Sequence, residues 1–135
     1  MKTDDDVVII RYPAEPVPFS RAGSHGKRRF TPTKQASFMG QVRLFAQYAM
    51  KGRAPLEGPV EMLAQFIYVV PASWSAKKRS DTIWKSSKPD ADNLVKIVKD
   101  AIDGVVYLDD SQVASLTVQK KYGPSPLVVV TVKSI

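Results

Sequence analysis

The chain has no cysteine and a single histidine, His25, among its 135 residues. A disulfide and a thiolate metal site are therefore excluded, and a histidine-based zinc site has too few donors. Cysteine-free composition suits the cytoplasm, and any metal ion bound here has to be held by oxygen. No apolar run approaches the ~20 residues of a membrane-crossing helix. The opening Met1-Lys-Thr-Asp-Asp-Asp6 lacks the apolar stretch of a secretory leader. Acids are also scarce, 13 against 20 Lys and Arg, for a formal charge of +7. Such an excess favours a polyanionic partner, nucleic acid ahead of an anionic membrane surface. The basic amphipathic helix expected of a membrane-surface binder is missing.

The few acids are concentrated. Six of the 13, namely Asp90, Asp92, Asp100, Asp103, Asp109 and Asp110, fall within one short stretch. A face that binds polyanions gains nothing from carboxylates unless a cation sits between them and the phosphate. That pattern points to a metal-dependent nuclease.

One domain is expected at this length. Val7 to Arg11 reads as a strand, and Pro13, Pro16 and Pro18 then break regularity. A helix is predicted from Thr33 to about Lys51, with Phe38, Val42, Phe45 and Ala49 at helical spacing and Gly52 as its stop. Val60 to Val70 reads as a long strand closed by Pro71. The polar connection 72–89 has room for one helical turn near Trp74 to Arg79. A second helix from about Asp92 to Asp103 carries one apolar face of Leu94, Ile97, Val98, Ala101 and Ile102, with Gly104 as its C-terminal cap. Val105 to Leu108 is expected to be extended. Val113 to Tyr122 and Leu127 to Val132 read as strands joined in a hairpin across Gly123-Pro-Ser-Pro126. The order β-α-β-α-β-β implies a single α+β domain, with a small mixed or antiparallel sheet and two main helices.

The second helix would span about 18 Å, and an extended chain from Gly104 to Asp110 about 20 Å. If Gly104 reverses the chain, Asp109 and Asp110 return towards Asp90 and Asp92. A carboxylate cluster of this kind suits Mg²⁺ or Mn²⁺, which leave positions free for phosphate and activate water. Lys96, one turn from Asp92, can reach the same place. An ordinary reading stands beside this one: Asp92 as helix N-cap, and Asp92 with Lys96 as an exposed ion pair. Asp100 and Asp103 read as solvated or structural, Asp100 less firmly. An EF-hand fails, because Val95 stands where its glycine belongs and Ala101 where its glutamate belongs.

Arg11 to Arg53 holds 9 Lys or Arg and one acid, Glu15. Arg21, Lys27, Arg28 and Arg29 crowd one loop and Lys34 follows. The later connection supplies Lys77, Lys78, Arg79, Lys85 and Lys88, interleaved with Trp74 and Trp84. Loops of this composition track phosphates and stack on bases, although each Trp can equally be a packing anchor. Arg21, Lys27, Arg28, Arg29, Lys34, Lys77, Lys78, Arg79 and Lys88 are the candidate DNA contacts.

Laid side by side, these segments resemble the RusA family of Holliday junction resolvases of bacteria and their prophages. The matching text is Glu15-Pro-Val-Pro-Phe-Ser-Arg21, Arg29-Phe-Thr-Pro-Thr-Lys34 and Pro71-Ala-Ser-Trp-Ser-Ala-Lys-Lys-Arg79. It continues with Ser87-Lys-Pro-Asp-Ala-Asp-Asn-Leu-Val-Lys96, Asp100-Ala-Ile-Asp-Gly104 and Asp109-Asp-Ser-Gln-Val113. The resemblance implies a cytoplasmic, bacterial or phage-encoded homodimer that binds four-way DNA junctions. It would nick two opposing strands symmetrically, with Mg²⁺, in recombination, repair or phage DNA processing. Its essential acids map onto Asp90, Asp92 and Asp110 and its essential lysine onto Lys96; the family pattern favours Asp110, while the spacing leaves Asp109 open. Phe19-Ser20 departs from the basic residue and glycine of many relatives, which bears on DNA contacts. The competing reading is a non-catalytic basic DNA- or junction-binding protein.

Overall fold

The computed structural model describes residues 6–19 and 32–135. Strands β1 (Val7–Tyr12), β2 (Val60–Val69), β3 (Val113–Gly123) and β4 (Leu127–Ser134) form one sheet in the order β1-β4-β2-β3. β4 is antiparallel to both its neighbours and β2 is parallel to β3, so the sheet is mixed. Helices α1 (Pro32–Met50) and α3 (Ala91–Ile102) are the long ones, and a short α2 (Ala76–Asp81) precedes α3.

Strand alternation decides which face the helices cover. Val60, Met62, Ala64, Phe66 and Tyr68 of β2 are buried, as are Val8 and Ile10 of β1 and Val128, Val130 and Val132 of β4. Against them α1 lays Phe38, Val42, Ala46 and Met50, and α3 lays Leu94, Ile97, Val98, Ala101 and Ile102. The intervening residues, among them Ile9, Glu61, Leu63, Gln65, Thr131 and Lys133, look out from the opposite, open face. α1 packs on β1 and α3, and α3 reaches β3. The predicted helical face of α3 is thus the buried one. Arg43 of α1 donates to the carbonyls of Ala101 and Asp103 at 3.2 and 3.0 Å, satisfying acceptors that the end of α3 leaves open.

The expected hairpin between the last two strands does not form, because β2 lies between them. β3 carries Ser115, Thr117, Gln119 and Lys121 on its outward positions, a composition suited to an edge. β2 alternates cleanly and takes the centre. Crossing β2 requires about two strand spacings, some 9–10 Å, which the residues between Gly123 and Leu127 can span. Gly123 is needed at that crossing, since a Cβ there would lie 2.6 Å from Cγ2 of Ile67.

Val105 to Leu108 is not extended. Gly104 takes a φ of +79°, and its N–H donates to the Tyr107 carbonyl at 2.8 Å, while Val105 and Val106 donate to Ile102 at 3.0 and 3.1 Å. The chain turns tightly here, because the side chains of Val106 and Tyr107 are buried beneath it rather than laid along the helix. The run back along α3 is made by β3 instead.

Candidate metal centre and nucleic-acid interface

α3 starts one residue earlier than the acid pattern suggested. Its N-cap is Asp90, not Asp92, and the Asp90 carboxylate makes no capping hydrogen bond. Asp92 lies in the first turn, where the positive end of the helix dipole favours an anion. The approach to α3 is pinned from β3. Lys120 donates from Nζ to the carbonyls of Ser87 and Pro89 at 2.7 and 2.8 Å, across a cis Lys88–Pro89 peptide. Main-chain bonds from Lys85 to Lys120 and from Tyr122 to Ile83, 2.9 and 2.8 Å, hold the same connection against the edge of β3.

Asp92, Lys96, Asp100 and Asp110 line one hollow of about 220 Å³, with Lys99 and Leu116 among its other walls. Lys96 does not pair with Asp92. Its Nζ is 3.9 Å from Asp100 Oδ2 and 5.1 Å from the centre of the Phe19 ring, and Phe19 is itself tied by its N–H to the Asn93 carbonyl at 2.9 Å. The carboxylates of Asp92 and Asp110 have no hydrogen-bond or ion-pair partner among the described residues. Asp90 is outside the hollow, 3.9 Å from Lys88 Nζ, and both side chains are largely exposed.

The two neighbouring acids of the D-D-x-Q segment are used differently. Asp109 caps a single 3-10 turn, Asp110–Gln112, by accepting from the Ser111 N–H at 2.9 Å. This contact with Ser111 holds the Asp109 carboxyl below its ordinary pKa. Asp110 faces the hollow. Beneath it Tyr107 is fully buried and donates its hydroxyl to the Lys99 carbonyl at 3.1 Å. Burial first, and then the charges of Asp110, Asp103, Asp100 and Asp109, push its phenol pKa up, so it remains a neutral donor.

The donor set fits a hard cation only in a particular way. Among the described residues no three His, Asp or Glu side chains come close enough to hold an ion between them. Mg²⁺, however, keeps several waters and is commonly held by one or two carboxylates plus substrate phosphate. Asp92 and Asp110, whose carboxylates are unpartnered and line one hollow, are the residues that would hold such an ion.

The basic residues divide as well. Arg21, Lys27, Arg28, Arg29 and His25 lie outside the described residues. Lys34 is exposed near the start of α1. Lys77 is exposed, 3.6 Å from Asp81. Lys78 lies 4.4 Å over the Trp74 ring, and that ring packs edge-on against Tyr122 at 5.0 Å. Arg79 spends its guanidinium on its own chain, donating to the carbonyls of Trp74 and Ala72 at 3.1 and 2.9 Å. Trp74 is therefore a packing anchor, whereas Trp84 is 57% exposed.

All of these residues sit within one match. A family model for endodeoxyribonuclease RusA covers residues 13–133, nearly the whole chain. The chain belongs to the RusA family. Members of the RusA family act on branched DNA junctions as endonucleases. The chain is also 36% identical over 110 residues to the uncharacterized protein YqaN of Bacillus subtilis strain 168, covering 77% of each.

Sequence reasoning missed Lys120 and Gln112. Lys120 follows Leu116 and Val118 on the helix-facing positions of β3, and a lysine breaking an inward alternation was the available signal. Gln112 stands three residues after Asp109, the spacing of a capping box.

Proposed function

We propose that this RusA-family endonuclease uses Mg²⁺, with Mn²⁺ as a substitute, to resolve four-way junctions by paired symmetric nicks. The observation that carries the reading is a pair of carboxylates, Asp92 and Asp110, unpartnered on a common hollow in a chain of charge +7. These two would hold the ion, and Asp90, at the N-cap of α3 and outside the hollow, is the third acid that the family resemblance assigns to it. When bound, the ion supplies charge neutralisation at the phosphate and a lowered pKa for an attacking water. In the hydrolysis the water oxygen bonds to phosphorus, the bond to the leaving sugar oxygen breaks, and that oxygen takes up a proton.

Lys96, standing over the hollow, offers an ammonium to the charge that grows on the phosphate oxygens. Asp100 and the Phe19 ring hold that ammonium in place. Lys34, Lys77, Lys78 and Lys88, with Arg21, Lys27, Arg28 and Arg29, supply salt-sensitive phosphate contacts. Arg79 contributes by shaping the connection rather than by touching DNA. Two cuts on a two-fold symmetric junction are most simply made by two identical sites, which favours a homodimer. The setting would be the bacterial cytoplasm, on host or phage DNA.

The test is cleavage of a synthetic four-way junction with Mg²⁺ or with EDTA, both strands being mapped. Symmetric nicks that require the metal are expected. Junction binding that EDTA leaves intact, with no nick under any condition, would establish the non-catalytic binder instead.

A further inference from the structure

The D-D-x-Q segment contains two residues, Asp109 and Gln112, that the chemistry above does not employ. Gln112 nevertheless makes four hydrogen bonds through one amide. Its Oε1 accepts from the N–H groups of Leu108 and Asp109 at 2.7 and 3.0 Å. Its Nε2 donates to the carbonyls of Leu56 and Gly58, both at 2.9 Å. With Asp109 accepting from Ser111, the pair forms a reciprocal capping box around Asp110. The far anchor is firm, because Leu56 is buried, donates its N–H to Val106 at 2.7 Å, and leads into the central strand β2.

We propose that Gln112 is a positioning residue, locking the Asp109–Gln112 turn to the lead-in of β2 so that Asp110 is presented to the hollow it shares with Asp92. The inference rests on the metal-dependent reading of that hollow. The turn has no buried residue of its own, so hydrophobic packing does not fix its direction. A glutamine suits the place because its amide offers an acceptor to two N–H groups and two donors to two carbonyls. Glutamate would present an oxygen to the two carbonyls and lose that half of the arrangement. Asp109, in this scheme, is needed for its acceptor oxygen and not for its charge.

The experiment uses the full chain and compares Gln112→Met, Gln112→Glu, Asp109→Asn and Asp110→Asn. Mn²⁺ binding is read by calorimetry without DNA, and junction cleavage by kcat and KM. Loss of an outer partner of a metal ligand typically weakens metal affinity or activity by about 10–100-fold. Gln112→Met and Gln112→Glu should show a loss of that size in Mn²⁺ affinity and kcat, with KM for the junction unchanged. Asp109→Asn should stay within about twofold of wild type, because Asn caps as well as Asp. If Gln112→Met does not fold, Asp109→Ala, which removes the cap alone, should show the same pattern at smaller size.

Wild-type Mn²⁺ affinity and kcat in folded Gln112 variants, or Asp109→Asn as damaging as Asp110→Asn, would overturn the inference alone. A wild-type protein that neither binds Mn²⁺ nor cleaves junctions would instead remove the reading beneath it.

Discussion

Asp92 and Asp110 face the same hollow but are held there by opposite means. Asp92 rides on α3, a helix with Leu94, Val95, Ile97, Val98, Ala101 and Ile102 buried against the sheet and α1. Asp110 rides on a 3-10 turn that has no buried residue and depends on hydrogen bonds from Asp109 and Gln112. Burial is non-directional and large, so the helix side is stable and its residues tolerate local rearrangement poorly. Hydrogen bonds are individually modest but directional, so the turn side controls aim more than stability. Damage to the first side should therefore appear as unfolding, and damage to the second as misplacement.

The largest expected effect removes either carboxylate itself. Asp92→Asn and Asp110→Asn should each lower junction-cleavage kcat by more than the ~100-fold upper range for an outer partner. Melting temperatures should barely change, since neither carboxylate has a partner to lose among the described residues; a large fall in melting temperature would show that they hold the fold. Next comes Leu94→Ala, which empties a fully buried site on α3. It should cost about 2–5 kcal/mol by chemical denaturation, against about 1–3 kcal/mol for Gln112→Met. Equal losses would erase the distinction between the two sides.

Lys120→Met should fall between them in character. It removes two charge-assisted bonds to the Ser87 and Pro89 carbonyls and keeps the aliphatic stem. A stability loss of about 1–3 kcal/mol is expected, with a fall in kcat smaller than that of Asp92→Asn. Unchanged kcat would show that the entry to α3 does not need the anchor.

The smallest effect concerns pH. The Asp109 carboxyl is held below its ordinary pKa by Ser111, so its contribution is present above the unfolded-state pKa. That contribution is lost as pH falls through the lower, folded-state pKa. Thermal unfolding should therefore show wild type losing a little more stability than Asp109→Asn between neutral and acid pH. Parallel pH profiles would mean that the Ser111 contact does not favour the carboxylate.

Much of this arrangement was legible in the residues. The apolar face of α3 and the alternation of β2 are local patterns, and both are the buried faces found in the structure. The clustering of acids in a basic chain pointed to the stretch from which Asp92, Asp100 and Asp110 line one hollow. What was not legible depends on partners far away in sequence. β2 displaces the expected hairpin because strand order is chosen by which strand best tolerates an edge. Lys96 turns to Asp100 and Phe19, because i,i+4 geometry allows it to look either way along the helix. Arg79 looks like a phosphate contact in sequence, but its Nε and Nη2 are turned to the carbonyls of Trp74 and Ala72. Asp109 and Asp110 are indistinguishable as letters and are separated by the Ser111 bond that occupies Asp109 and the Gln112 bonds that orient the turn.

The central claim is that Asp92 and Asp110 together hold the ion that cuts the junction. Its most direct test is the single-turnover rate of four-way-junction cleavage against Mg²⁺ concentration for wild type, Asp92→Asn and Asp110→Asn. The expected result is a saturable Mg²⁺ dependence in wild type, abolished by EDTA and lost in both variants while junction binding persists. Cleavage that survives EDTA, or that either variant performs at the wild-type rate, would contradict it.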